Sequence, residues 1–254
     1  MPTIDLNSDL AEGFGAYRCG DDEAMLSIVS SANVACGFHA GDPEIMARTF
    51  RIAKERSVAI GAHPGFPDLW GFGRRRIPYT AGEIERLVAY QLGAAQALAA
   101  YAGHRISYVK SHGALGNITE VDRSIADAVV RAMKAVDPSL TLLSIARSEQ
   151  VKAAEAARVA CIPEIYADRG YDEKGTMVPR GQPGAMITDP IKAAARVLVM
   201  VQEGAIITNA GTRLETPIES ICVHGDSPEA VETARQVRAT LEAAGFAIAP
   251  FSAA

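Results

Sequence analysis

The chain has 254 residues, 48% of them hydrophobic and 22% charged. That length suits one α/β barrel of roughly 200–250 residues and buries enough apolar surface to fold without disulfide staples. The formal net charge of −5 argues against a nucleic-acid or anionic-membrane surface, while a local arginine cluster still suits a small anion.

The opening residues, MPTIDLNSDL, have no basic n-region and no apolar h-region, so no signal peptide is expected. No apolar run approaches the ~18 residues of a membrane span. The four cysteines, Cys19, Cys36, Cys161 and Cys222, form no C-x-x-C pair. A reduced, cytoplasmic protein is the expectation.

A strand is expected over 3–9. It carries Asp5, Asn7 and Asp9 at spacing two, on one face. Three polar side chains on one face of a buried strand are costly unless a metal, a substrate or a hydrogen-bond network satisfies them. A second strand, 28–35, runs into S-A-N-V-A-C-G-F-H-A-G-D-P. There Asn33 and His39 sit among small residues that let a ligand approach. Cys36 has no activating neighbour and reads as a buried, inert thiol. Asp42 followed by Pro43 marks the start of a helix over 43–57.

The strand 58–63 ends at His63. The long segment 65–78 then passes through Phe66, Trp70 and Phe72 to Arg74, Arg75 and Arg76. Rings followed by guanidiniums suit a lid over an anionic ligand. Thr80 and Glu83 have capping-box spacing for a helix over 80–102. The strand 107–112 brings Lys110 and His112 to one face, with Asn117 beyond. A lysine inside a parallel sheet needs a carboxylate, here Asp5, Asp9 or Glu164. His112 has the chemistry of a general base or a metal ligand.

Helices are expected over 121–136, 148–157, 190–203 and 228–244, the last ending at Gly245. Between them lie strands over 140–146, 161–167 and 220–224, and a second long segment, 168–189. The strand over 161–167 carries Glu164, the segment after it Asp168, Arg169, Tyr171 and Arg180, and the last strand His224. This β-α alternation predicts a mainly parallel sheet in one domain, 1–254. The polar residues gather at the carboxyl ends of the strands, where parallel barrels bind ligands. Four of the five histidines fall there, and only His104 does not. No P-loop, G-x-G-x-x-G, H-E-x-x-H or G-x-S-x-G pattern occurs.

Six stretches in this order, DLNSDLAEGFG, SANVACGFHAGDP, AHPGFPDLWGFGRR, VKSHGALGN, ADRGYDEKGTMVPR and ICVHGD, resemble the LamB/YcsF family over nearly the whole chain. The resemblance implies an irregular (β/α) barrel of about seven mainly parallel strands, similar to the glycoside hydrolase/deacetylase group. It also implies ATP-dependent opening of 5-oxoproline to L-glutamate, with two partner subunits, B and C, of a 5-oxoprolinase. Members commonly read D-L-N-C-D and V-K-P-H-G-A-L-Y-N, where this chain has Ser8, Ser111 and Gly116, in motifs expected at the pocket.

On this reading Asp9, His112, Lys110 and His39 form the catalytic group. Asp5, Asn7, Asn33, His63, Phe66, Arg74, Asn117, Glu164, Asp168, Arg180 and His224 line the substrate. Arg74 or Arg180 clamps the carboxylate, His112 or Asp9 is the base, Lys110 and Asn33 are donors, and the 66–72 segment is the lid. ATP, with Mg, is the expected cofactor. Two alternatives remain open. One is a divalent metal at Asp9, His39, His63 and His112, hydrolysing an amide or acetyl group without ATP. The other is a non-catalytic subunit that binds and delivers the lactam.

Overall fold

Alternation along the first strand sets the architecture. In the computed structural model, which describes residues 1–252, β1 (Thr3–Leu10) sends Ile4, Leu6 and Leu10 into a hydrophobic layer and turns Asp5, Asn7 and Asp9 the other way. Next come β2 (Ser31–Ala35), β3 (Ala59–His63), β4 (Ile106–Val109), β5 (Thr141–Ile145) and β6 (Cys161–Tyr166), each parallel to its predecessor. A short antiparallel hairpin follows, β7 (Ala205–Ile207) with β8 (Arg213–Glu215). Then β9 (Ser220–Cys222) pairs parallel with both β6 and β1, and seven strands close into a barrel. The barrel class and the parallel sheet agree with the sequence expectation. A final strand, β10 (Ala247–Ile248), pairs with the start of β1.

Among the described residues eight α-helices wrap the barrel: α1 (Asp22–Leu26), α2 (Pro43–Glu55), α3 (Ala81–Tyr101), α4 (Gly113–Val121), α5 (Arg123–Val136), α6 (Glu149–Ala157), α7 (Pro190–Glu203) and α8 (Ala230–Ala243). Asp42 accepts from the Glu44 and Ile45 amides at the start of α2, and Thr80 and Glu83 form a reciprocal capping box on α3. The single helix expected over 121–136 is two. Asp122 is extended, with φ −111 and ψ 105, and its side chain caps α5. Two glycines in α4 hide it from a propensity reading. The strand expected to reach His112 ends at Val109, so Lys110 and His112 stand on the turn that enters α4.

The main apolar core lies between barrel and helices, where Phe50, Leu92, Val129, Val197 and Leu241 are buried. The barrel interior is therefore free for polar groups. Its lower half is plugged by Tyr108, whose hydroxyl donates to Asn33 Oδ1 at 2.8 Å and whose ring meets Phe251 edge-on, centroids 5.0 Å apart. Gly61 makes room for that ring, since a Cβ there would lie 2.3 Å from it. Gly61→Ala is expected to cost about 2–3 kcal/mol by overpacking. Urea unfolding checks this, and an unchanged midpoint would mean that the ring does not fill the axis. Among the described residues no helix is long and apolar enough to cross a membrane.

Candidate active site

Inside the barrel the polar side chains stack in tiers, because successive inward positions of each strand climb its axis. Asp5 is the floor. It accepts from the Ser30 and Ser31 hydroxyls at 2.7 and 2.6 Å and from Ser220. Burial pushes its carboxyl up to about 6 in spite of these donors. Between pH ~4 and ~6 the unfolded chain thus gives up this proton while the folded chain keeps it. The group's contribution to stability falls as pH rises through that window, by about 3 kcal/mol. Asp5→Asn removes the penalty, so the variant should gain about that much on wild type between pH 4 and pH 7. Denaturant midpoints at both pH values test it, and parallel pH profiles would refute it.

Lys110 is the centre of the next tier. Its ammonium lies 3.1 Å from Asp9 Oδ1, 3.1 Å from Asn7 Oδ1, 3.2 Å from Glu164 Oε2 and 2.9 Å from Cys222 Sγ, with the Tyr166 ring 4.9 Å away. Asn33 donates to Asp9 Oδ1 at 2.8 Å and Asn7 donates to Glu164 at 3.0 Å. Burial would raise the Asp9 carboxyl, yet the Lys110 charge holds it well below its ordinary value. Burial likewise opposes the Lys110 charge, and the Asp9 carboxylate more than offsets it.

Above this tier four donor atoms converge from Glu12, His39, His63 and His112, all within 4.8 Å of one another and all buried. Two carbonyls fix the ring tautomers. His63 Nδ1 lies 2.8 Å from the Lys110 carbonyl, and His112 Nε2 lies 2.8 Å from the Phe72 carbonyl. A carbonyl only accepts, so those nitrogens carry protons. The remaining nitrogens, His63 Nε2 and His112 Nδ1, then face each other at 3.0 Å, with Glu12 Oε1 3.2 Å from His112 and 3.3 Å from His39 Nε2. Lone pairs packed this closely need a cation or a shared proton between them. Ligands about 2.1 Å from a metal ion, at tetrahedral or right angles, sit about 3.0–3.4 Å apart. Burial pushes His39 down to about 3 and lowers His112, so both are neutral, as metal ligands must be, whereas the Asp9 carboxylate outweighs burial and raises His63, where a metal ion would take the place of a proton. The residues fit a divalent ion. Glu12, absent from the sequence expectation, completes the group in place of Asp9, whose Oδ1 is already held by Asn33 and Lys110.

Across Asp9 from this cluster stands a dyad. Asp168 accepts from His224 Nδ1 at 2.8 Å, which leaves His224 Nε2 facing Asp9 Oδ2 at 4.0 Å. Cluster and dyad share the wall of a cavity of about 540 Å³ at the carboxyl ends of the strands. Of the candidate residues Asp9, His63, Arg74, His112, Asn117, Arg180 and His224 line it, and so do Glu12, Glu120 and Tyr166, which the sequence did not single out. Arg74 is ion-paired with Asp226. Arg180 has no carboxylate within salt-bridge reach among the described residues, and its guanidinium lies 3.4 Å from Met186 Sδ.

Other expected residues lie elsewhere. Asp5, Asn7, Asn33 and Glu164 do not line the cavity: Asn7 and Glu164 touch Lys110, Asn33 touches Asp9, and Asp5 is held by three serines beneath them. His39 lies behind His112, their rings stacked 3.6 Å apart. Asp168 meets the cavity through its hydrogen bond with His224. Phe66 is no lid residue: it is fully buried in the outer core, 5.9 Å from the Tyr79 ring, because Gln91 pins the Gly65 backbone through both its N–H and its carbonyl. In the same segment Phe72 does touch the site, its ring edge-on to His112 at 5.3 Å. Ser8 is not in the cavity either: its hydroxyl donates to the Val223 carbonyl on the adjoining strand. Ser111 and Gly116 do line the cavity.

The description "LamB/YcsF family" belongs to a family model that matches residues 4–254. The chain is 66% identical over 252 residues to the A component of 5-oxoprolinase from Azorhizobium caulinodans, across 99% of this chain and 100% of that one. It is 59% identical over 246 residues to the A component of 5-oxoprolinase from Gluconobacter oxydans, across 97% of each. Among solved structures, the lactam utilization protein of Thermus thermophilus superposes with a TM-score of 0.92 at 41% identity, across 98% of this chain and 100% of that one. The catalytic domain of a peptidoglycan N-acetylglucosamine deacetylase from Eubacterium rectale has a TM-score of 0.53 at 11% identity, across 99% of this chain and 90% of that one, and shares the barrel fold. A family model that spans all but the first three residues, together with relatives of this identity, makes the chain a member of the LamB/YcsF family.

Proposed function

We propose that this chain is a hydrolase that opens the lactam of 5-oxo-L-proline to L-glutamate, as the A component of an ATP-dependent 5-oxoprolinase. The observation that carries the reading is the 66% identity, over 99% of the chain, to a protein named for that role. The polar cavity over Asp9 supplies chemistry that suits it.

A five-membered lactam re-closes readily, because amine and carboxylate stay on one chain at high effective concentration. Coupling to ATP offsets that tendency by phosphorylating the amide oxygen. In this reading ATP, with Mg, acts on the partner subunits B and C, in keeping with a sequence that has no phosphate-binding glycine loop. The cavity of this chain then handles water and the leaving nitrogen. Arg180, free of carboxylate partners among the described residues, clamps the substrate carboxylate in bidentate geometry. Water adds to the ring carbon of the phosphorylated amide, the C–N bond breaks with its electron pair on nitrogen, which takes up a proton, and a second water hydrolyses the resulting acyl phosphate to the carboxylate and inorganic phosphate. His224 Nε2 is placed to move that proton, with Asp168 orienting the ring. Of the two bases expected from the sequence, His112 has both ring nitrogens engaged and Asp9 is held by Lys110 and Asn33, and the role passes to His224. A divalent ion held by Glu12, His39, His63 and His112 would polarise a carbonyl or a bound water.

His224→Gln is expected to lower kcat for glutamate formation at least about a hundredfold with little change in KM. Steady-state assays of the complex check it, and an unaltered kcat would remove His224 from the chemistry.

The Glu12 cluster also favours a second reading, a metal-dependent amide hydrolase that needs no ATP. Glutamate formation from 5-oxoproline separates the two, measured with and without ATP, on this chain alone and with the B and C components. The first reading expects glutamate only from the full set with ATP. ATP-independent turnover by this chain alone, abolished by a chelator, would establish the second.

A further inference from the structure

One conformational outlier has no helix end to explain it. Among the described residues, five other than glycine have positive φ: Ala11, Ser57, Phe72, Arg147 and Arg158. Ser57, Phe72 and Arg158 close helical turns, where a left-handed residue is ordinary, and Arg147 lies in the turn entering α6. Ala11, at φ +59 and fully buried, ends a barrel strand. A Cβ in this conformation is strained, and such strain persists where the surroundings impose it.

The surroundings of Ala11 do so. Its N–H donates to Asp22 Oδ2 at 3.1 Å, from the start of α1. Asp22 has no cation within salt-bridge reach among the described residues, so this half-buried carboxylate is itself poorly compensated. On the other side the Gly13 carbonyl accepts from the Gly41 amide at 2.7 Å. Gly41 packs so close that a Cβ there would lie 3.1 Å from the Ala11 carbonyl. Between these two anchors the chain turns off the strand, and the next side chain, Glu12, enters the cluster. Had β1 simply continued, residue 12 would alternate onto the face that carries Leu6 and Leu10.

We infer that Ala11 and Asp22 are positioning residues whose role is to bring the Glu12 carboxylate onto the imidazoles of His39 and His112, and so to complete a divalent-cation site. The inference rests on the cation reading of that cluster. Strain at Ala11 and a lone carboxylate at Asp22 both weaken the fold, and their common result is the orientation of Glu12. An element kept for stability would show the opposite balance.

The test uses the full chain and Co(II) as the probe, read by its visible absorption and by calorimetric titration. Ala11→Gly relieves the strain and frees the turn. Co(II) affinity should fall at least tenfold while the melting temperature stays level or rises. Asp22→Ala should lose affinity similarly, and Asp22→Asn, which keeps an acceptor for the Ala11 amide, should stay within about threefold of wild type. Wild-type affinity in both Ala11→Gly and Asp22→Ala would overturn the inference. If wild type itself takes up no Co(II), the cation reading fails, and imidazole 15N resonances decide the positioning role alone. Shifts of the His39 and His112 signals in Asp22→Ala support it, and superimposable spectra overturn it.

Discussion

Methionine in place of Lys110 is expected to cost about 3–5 kcal/mol of stability, because it leaves two buried carboxylates without their cation. For a chain of this size that is a fall of about 10 °C in melting temperature. The ammonium stands between Asp9 and Glu164, at 3.1 and 3.2 Å, with all three side chains buried. Repulsion between the acids then acts where water cannot screen it. Adding Glu164→Gln removes one of the two charges and should recover part of the loss. Scanning calorimetry of the single and double variants checks both statements. A Lys110→Met chain that melts within about 2 °C of wild type, a bound of about 1 kcal/mol, would show that the ion-pair tier does not hold the barrel.

Asp9→Asn is expected to leave the fold standing and to lower the rate of glutamate formation about a thousandfold. An amide has the same volume, and its oxygen can still accept from Asn33 and Lys110. What disappears is the anionic Oδ2, the atom that faces His224 Nε2 across the mouth of the cavity. With that charge gone, neither an incoming water nor the His224 ring has its electrostatic partner. The separation of effects is one of degree: Lys110→Met leaves two buried acids without a cation, whereas in Asp9→Asn the ammonium keeps Glu164 as its counter-ion. Circular dichroism should match wild type and the melting temperature should fall by less than in Lys110→Met, while turnover collapses.

Much of this arrangement is written in the sequence, and particular residues show why. The spacing of Asp5, Asn7 and Asp9 gives one face of a strand, and β1 turns that face into the barrel. Of the three only Asp9 reaches the cavity, because successive inward positions climb the axis. Lys110 needed a carboxylate and has two. Glu12 escaped because it lies three residues from Asp9, off the two-residue period, and its orientation depends on a left-handed Ala11 that no propensity would suggest. Phe66 misled because an aromatic in a Gly- and Pro-rich segment looks exposed, whereas Gln91, 26 residues on in sequence, folds the Gly65 backbone inward. The α4–α5 break at Asp122 is a capping signal inside an apolar stripe, and the stripe hides it. His224 was legible as a pocket residue, but its pairing with Asp168, 56 positions earlier, is a tertiary fact.

The most direct measurement of the central claim is the amount of L-glutamate formed from 5-oxoproline and ATP by the B and C components supplied with either the wild-type chain or its Asp9→Asn variant. The account predicts glutamate with the first and a loss of about three orders of magnitude with the second, at equal incorporation of the chain into the complex. Equal glutamate from both would contradict it, and would place the ring-opening chemistry outside this barrel.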